Sequence, residues 1–301
     1  VADLWQARGW EVSIRPTKAA GHATQLAQQA AAAGHAVVMA AGGDGTLGEV
    51  ANGLVGTETA MAPLPVGTSN SFARELLMPR PNLLEKHKLL KAAEALLAGK
   101  IQQMDMGRQE DEEGHGRHWL LWAGTGVDGY LVDQVEPRPR WSKRMGRLGY
   151  FLQSLAAAPR VPRMHAKVEV DGAIYEDDFV LVLISNCRLY AGGQIRLSPD
   201  ARLDDGQVEV WMFRGEGLAN TVQYLLEAKL ERHHDDPNVT RVNGRTITIH
   251  ADPTMPCQTD GDKAGYTPLR CTVIPRALRL LVPNTAPTDL FSLPGEALVI
   301  G

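Results

Sequence analysis

The chain has 301 residues, of which 44% are hydrophobic, 22% are charged and 30 are glycine, with a formal net charge of −4 at pH 7. This length predicts two domains, and the composition excludes a disordered or fibrous chain. Cys187, Cys257 and Cys271 have no Cys-x-x-Cys spacing, which argues against a disulfide framework or zinc site and for a reducing cytoplasm, and no apolar run reaches a membrane span.

The first stretch, "VADLWQARGW", reads as the tail of a helix ending near Gly9, with a strand expected upstream of Val1. A strand at 11–15 ("EVSIR"), a helix at 22–33, a strand at 36–40, a helix at 47–55 and a strand at 62–66 follow, then further helices. Such alternation predicts a parallel sheet covered by helices, a doubly wound α/β domain over residues 1–107. From residue 108 to 301 the period falls to two, as in "HAKVEVDG", "YEDDFVLVLIS", "GQVEVWMF" and "RTITIHA". That half is predicted to be an antiparallel β-sandwich whose C-terminal tail returns to the first domain. The acidic run "QEDEEGHGRH" just after the joint reads as an exposed hairpin or loop.

Between the strand at 36–40 and its helix lies Gly42-Gly43-Asp44-Gly45, with the helix expected to open at Thr46. Glycine lets backbone N–H groups and a helix N-terminus approach phosphate oxygens. Asp44 would repel a bare phosphate, so its presence implies Mg²⁺ with a nucleotide. Thr46-Leu47-Gly48-Glu49 also reads as a capping box, with Leu47, Val50, Ala51 and Leu54 as an ordinary buried face. A second turn, Gly67-Thr68-Ser69-Asn70, follows the strand at 62–66. Loops after neighbouring parallel strands face one crevice, so both would address the same ligand.

"GGDGTLGEVANGL" followed by "PVGTSNSFAR" resembles the bacterial diacylglycerol-kinase-like lipid kinases, related to sphingosine and ceramide kinases. The resemblance continues through "MDMGR", "AGTGVDGYLV", "ISNCRLYAGGQIRLSPDARLDDGQVEVWMF", "QTDGD" and "PRALRLLVP", leaving out only about the last fifteen residues. It implies the two-domain NAD kinase/diacylglycerol kinase-like fold, ATP and Mg²⁺ as cofactors and a membrane lipid as acceptor. Nucleotide contacts are implied at Thr17, Gly42, Gly43, Asp44, Gly45, Thr46, Leu47, Gly48, Glu49, Gly67, Thr68 and Asn70. Thr17 also reads as a strand end and Thr68 as a helix cap. A Mg²⁺ site is implied at the Asp205 carboxylate and the carbonyls of Arg202 and Gln207, hard oxygen donors that suit this ion. Taken locally, "DARLDDGQVEV" is a hairpin turn.

The family's Asp-Gly-Glu, whose glutamate is the proposed general base, is here Asp260-Gly261-Asp262. Asp262 thus takes the base's place with a carboxylate one methylene shorter. Gly48 stands where the family usually has Asn, and Ser71 where it usually has Asp.

From Pro137 to Val168 there are eight cations (Arg138, Arg140, Lys143, Arg144, Arg147, Arg160, Arg163 and Lys167) and no acid. "SKRMGRLGYFLQSLAAA" predicts a basic amphipathic helix, which can lie on an anionic membrane surface or simply be a solvated face. The net charge and the lack of a basic, aromatic-studded sheet argue against nucleic acid. A homodimer is left open, and "RHHDDP" reads as a surface loop rather than a metal site. The expected activity is ATP-dependent lipid phosphorylation, with Asp262 and Asp44 as the catalytic pair. NAD kinase and a non-catalytic lipid- or nucleotide-binding protein of the same fold are the alternatives.

Overall fold

Alanine and glutamine are strong helix formers, and "HATQLAQQAAA" folds as α2 (His22–Ala32), preceded by α1 (Ala2–Gln6). The structure, a computed structural model, describes residues 1–67, 70–81, 85, 87–110, 114, 116–135 and 161–298. After α2 come β1 (Val37–Gly42), α3 (Asp44–Leu54), β2 (Ala60–Pro65), α4 (Ser71–Glu75) and α5 (Lys88–Leu97). β1 and β2 are parallel, in register from Val37 opposite Ala60 to Gly42 opposite Pro65. Leu47, Leu54, Met61, Phe72, Leu96 and Leu280 bury the seam between this sheet and its helices.

The second half alternates apolar and polar residues, and strands dominate it. β3 (Lys100–Glu110), β4 (Gly116–Trp119) and β5 (Trp122–Gly126) lead into α6 (Val127–Val135). Then follow β6 (His165–Val170), β7 (Ala173–Ser185), β8 (Leu189–Tyr190), β9 (Ile195–Arg196) and β10 (Val208–Arg214). α7 (Gly217–Lys229) precedes β11 (Val239–Gly244), β12 (Thr246–Asp252), β13 (Pro256–Thr259), β14 (Asp262–Tyr266), β15 (Leu269–Val282) and β16 (Glu296–Ala297).

Two long strands join the layers. β7 pairs with β6 through residues 173–178 and with β5 and β10 farther along, so one strand serves both sandwich sheets. β15 pairs antiparallel with β12 and β3, then lies parallel to β2. The sandwich interior is filled by Trp119, Phe179, Val210, Met212, Ile249 and their neighbours. The tail after β15 packs on the first half, with the Asn284 N–H donating to the Ala95 carbonyl and β16 pairing with β3. Among the described residues no helix is long and apolar enough to cross a membrane.

Four sequence expectations are corrected. Residues 11–15 form no strand: the alternation is present, but no neighbour among the described residues pairs with it and Ile14 stays 75% exposed. α3 opens at Asp44 rather than Thr46, because Gly43 takes the extended N-cap conformation, and no side chain caps it. The capping box is therefore absent, and Glu49 instead accepts the Ala23 N–H of α2 at 3.1 Å. "DARLDDG" turns the chain without making a hairpin, since β10 pairs with β7 and β11 rather than with the segment before it. "RHHDDP" is a largely exposed loop as expected, but His233 within it is buried, its Nε2 2.9 Å from the Leu197 carbonyl.

The glycines of α3 separate into two kinds. A Cβ at Gly53 would sit 2.5 Å from the Thr24 carbonyl of α2, whereas one at Gly48 would meet nothing closer than Asp260 Oδ2 at 3.8 Å. Gly48→Ala is therefore expected to stabilise the fold by about 0.5–1 kcal/mol, the helical cost of glycine. Gly53→Ala should destabilise it by about 1–3 kcal/mol through overpacking. Urea denaturation midpoints check both, and equal shifts would contradict the packing argument.

Candidate active site

The two glycine turns lie against each other at the carboxyl ends of β1 and β2. The Val66 and Gly67 N–H groups both donate to the Gly42 carbonyl at 3.2 Å. A Cβ at Gly67 would fall 2.5 Å from the Gly43 Cα, and one at Gly42 would strike Thr46. Close packing, against the Thr46 side chain and the Gly43 backbone respectively, thus accounts for Gly42 and Gly67. It does not account for Gly45, which is exposed, has an ordinary helical φ and has nothing within 4 Å of its would-be Cβ. Open space over the first turn of α3, where N–H groups lack intrahelical acceptors, is what an approaching anion requires.

Asp44 links the turns. Its Oδ2 accepts the Ser71 N–H at 3.0 Å and its Oδ1 the Phe72 N–H at 3.2 Å, so it caps α4 across 27 residues of sequence. Asn70, in the left-handed region at φ 50°, is 3% exposed. Its amide nitrogen donates to the Gly67 carbonyl, while its Oδ1 has no partner among the described residues. A buried orphan oxygen is costly, and here it stands at the mouth of the second turn. Leu47 is buried in the core and Glu49 is tied to α2, so neither faces this mouth. Thr17 lies in exposed backbone outside any element, and Thr68 lies outside the described residues.

The 259–262 segment forms the β13–β14 hairpin, with Asp260 and Gly261 both at positive φ (53° and 83°). This is a two-residue turn of the primed type, for which Asp-Gly is suited. Asp260 folds inward: Oδ2 accepts the Leu120 N–H at 2.8 Å, and Oδ1 accepts those of Leu121 and Trp122 at 2.8 and 3.2 Å. Burial raises its pKa to about 6, more than those three donors lower it. Its Oδ2 also faces Gly48 of α3. Asp262, in contrast, is exposed and pairs with Arg117 at 3.2 Å. Sequence reasoning passed over Asp260 as a turn residue; its donors lie about 140 positions away.

Beyond β9, Asp205 Oδ1 accepts the Gln207 N–H at 3.0 Å, and burial, reinforced by the Asp204 carboxylate, raises its pKa. Asp105 and Asp204 stand close by but are committed to backbone N–H groups, of Gly206 and Arg276 and of Ser292 and Leu293 respectively. Arg202, Asp205 and Gln207 edge a cavity of about 130 Å³ that Asn186 also lines, with its Oδ1 unpartnered among the described residues. Among the described residues no three His, Cys, Asp or Glu side chains are placed to hold a metal ion together. A cation here would have to be held mainly by one carboxylate, carbonyls and an amide oxygen. That donor set is hard and suits Mg²⁺.

Of the basic stretch, residues 136–160 lie outside the described residues, and with them Arg138, Arg140, Lys143, Arg144, Arg147 and Arg160. Arg163 is engaged in ion pairs with Asp178 and Glu216, and Lys167 lies on β6.

Comparison with known proteins bears on this arrangement directly. The family model "Diacylglycerol kinase catalytic domain" matches residues 1–109, and "YegS C-terminal NAD kinase beta sandwich-like domain" matches residues 123–282, more than half of the chain. The diacylglycerol kinase of Bacillus subtilis strain 168 is 28% identical over 287 residues, covering 94% of this chain and 90% of the relative. That of Staphylococcus carnosus strain TM300 is 26% identical over 280 residues, covering 92% and 86%. A crystal structure of a diacylglycerol kinase from Bacillus anthracis strain Sterne superposes with a TM-score of 0.67 at 23% identity, covering 94% of this chain and 89% of that one, a likeness of fold.

Proposed function

The chain belongs to the diacylglycerol kinase family, with its sandwich of the YegS C-terminal type, and on that premise we propose how its residues divide the work. It is an ATP-dependent lipid kinase, transferring the γ-phosphoryl group of ATP to a hydroxyl of a membrane lipid such as diacylglycerol or a related lipid. The observation that carries the assignment of roles is the meeting of three places: the Gly42–Thr46 turn, Gly67 with Asn70, and the Asp260 hairpin, which reaches α3 at Gly48.

In this reading the open first turn of α3 at Gly45 and Thr46 receives phosphate oxygens, and Asn70 Oδ1 receives a donor or cation from the nucleotide side. Asp44 holds the two turns at fixed separation and adds its charge beside them. The acceptor oxygen forms a bond to the γ-phosphorus, the bond from that phosphorus to the β–γ bridging oxygen breaks and ADP leaves, while the hydroxyl proton passes to a carboxylate of the 259–262 turn. The resemblance gives this task to Asp262. The geometry favours Asp260, which is half-buried, has its pKa raised by burial to about 6 and faces α3, whereas Asp262 is held at the surface by Arg117.

Mg²⁺ would be held by the Asp205 carboxylate and the Arg202 and Gln207 carbonyls, with Asn186 Oδ1 in reach of the same cavity. When bound it supplies charge neutralisation and local rigidity. Three free, buried cysteines suit the reducing cytoplasm. Lys143, Arg144 and Arg147 are proposed to meet an anionic bilayer. With each cation contributing about 1 kcal/mol, replacing all three by glutamine should weaken vesicle binding by roughly two orders of magnitude. Co-sedimentation with anionic and neutral vesicles at low and high salt tests this, and equal sedimentation of mutant and wild type would reduce the stretch to a solvated face.

The reaction is tested with radiolabelled ATP and a panel of diacylglycerol, sphingosine, ceramide, phosphatidylglycerol and NAD. Label in the organic phase identifies the acceptor. Label confined to NADP would favour the NAD kinase reading, and no transfer at all would favour a binding protein.

A further inference from the structure

α4 is a five-residue helix held from outside at both ends, and the second hold is the more informative. At its start Asp44 accepts the Ser71 and Phe72 N–H groups. At its end Glu75, 3% exposed, points into the second half of the chain, where its two carboxylate oxygens accept the Arg188 and Leu189 N–H groups, each at 3.0 Å. A carboxylate is an expensive choice for such a place, because burial disfavours its charged form. Here burial raises its pKa to about 7 against the lowering effect of the two N–H donors and of Arg188 and Arg196. The Cys187 thiol is a further titratable group near it. Arg188 is itself anchored, its Nε to the Ala201 carbonyl at 2.8 Å and its guanidinium to Asp289.

From that clasp a polar chain continues to the base-bearing turn. The side chain of Tyr190, next to Leu189, is near enough to Asp128, a half-buried carboxylate at the start of α6, to lower a pKa that burial raises to about 6. Gln258 Nε2 donates to the same carboxylate at 2.7 Å, and Gln258 Oε1 accepts the Gly261 N–H at 2.8 Å. Trp122, whose N–H binds Asp260, packs edge-on against the Tyr190 ring at 5.4 Å. The second glycine turn and the Asp260 turn are thus connected through α4, Glu75, the 188–190 segment, Asp128 and Gln258, by hydrogen bonds and peptide units except where Tyr190 approaches Asp128.

We propose that Glu75 is a positioning residue for phosphoryl transfer: by clasping residues 188–190 to α4 it sets the separation of the glycine turns from the turn that takes the acceptor's proton. The proposal rests on the placing of the transfer between those turns. It concerns a side chain that touches neither nucleotide nor lipid, and it gives the buried charge a reason. A neutral residue could pack there, but only an ionised carboxylate grips two N–H donors together with the field of Arg188 and Arg196.

The experiment compares wild type, Glu75→Gln and Glu75→Ala for binding of a fluorescent ATP analogue, kcat and KM for the lipid, melting temperature, and amide exchange at Gly261. With the clasp gone, kcat should fall about 10–100-fold, as expected for a small misplacement of reacting groups, while affinity for the ATP analogue is retained and exchange at Gly261 quickens. Wild-type kcat should decline as pH drops through about 7, where the clasp loses its charge, and Glu75→Gln should lack that decline. Unchanged kcat in folded Glu75→Gln and Glu75→Ala enzyme overturns the proposal, even if both variants melt lower. Faster exchange at Gly261 with unchanged kcat would overturn both it and the placing of the base on that turn. Slower turnover with Gly261 exchange unchanged would remove the positioning role while leaving the turn's role intact.

Discussion

Asp260→Asn is expected to lower kcat by about 10²–10⁴, the range for a lost general base, with ATP affinity unchanged. The substitution keeps the side chain's shape and one carbonyl oxygen, which can still accept the Leu121 and Trp122 N–H groups; the amide turned toward the Leu120 N–H forfeits one bond. That loss costs about 1–3 kcal/mol, so a lower melting temperature should accompany the rate effect without explaining it. The pH dependence separates the two. A carboxyl titrating near 6 must be ionised to take a proton, so wild-type kcat/KM should fall as pH drops through about 6, and the asparagine variant should lack that limb. Asp262 makes the comparison. Asp262→Ala breaks only an exposed pair with Arg117, worth about 0–1 kcal/mol, and should leave kcat nearly intact. Should the loss instead fall on Asp262→Ala, with Asp262→Glu active and Asp260→Asn near wild type, the base is Asp262, as the resemblance implies.

This contrast marks where the sequence was legible. Gly42, Gly43 and Gly45 declare a turn because a strand, a glycine run and a helix are local patterns, and β1, α3 and β2 formed where those patterns lie. What could not be read locally was the use of each residue by distant partners. "EVSIR" alternates well, yet a strand needs a neighbour, and residues 11–15 have none among the described residues. Asp44 looked like an exposed turn residue, but its acceptors' work is on α4. Asp260 looked like half of an Asp-Gly turn, which it is; its carboxylate is buried by a segment brought in through β5 and β13. Glu75 carried no signal of its own, an acid beside Arg74 in "SFARELLM", and its meaning depended on a segment more than a hundred residues later. His233 misled in the other direction, since a charged-looking "RHHDDP" run hides a core imidazole whose pKa burial lowers.

Asp44→Ala is expected to abolish measurable transfer, and Asp44→Asn to lower kcat by about 10²–10³, the scale of a lost electrostatic contact in a preorganised site. Two roles compete for this residue, and the pair of variants tells them apart. As a cap, Asp44 satisfies the Ser71 and Phe72 N–H groups, and alanine would leave both without it. Losing a cap of this kind costs about 0.5–2 kcal/mol and would loosen α4, hence the second glycine turn. Asparagine can still accept from one of the two donors, so it retains much of the cap while discarding the negative charge. If charge beside the phosphates is the essential property, Asp44→Asn will melt near wild type and still be slow. A nearly wild-type rate for Asp44→Asn, with Asp44→Ala both unstable and inactive, would make Asp44 a scaffold for the turn and take it out of the chemistry. Melting curves and single-turnover rates at saturating ATP, measured side by side on both variants, decide between these, because the cap acts on stability and the charge on kcat.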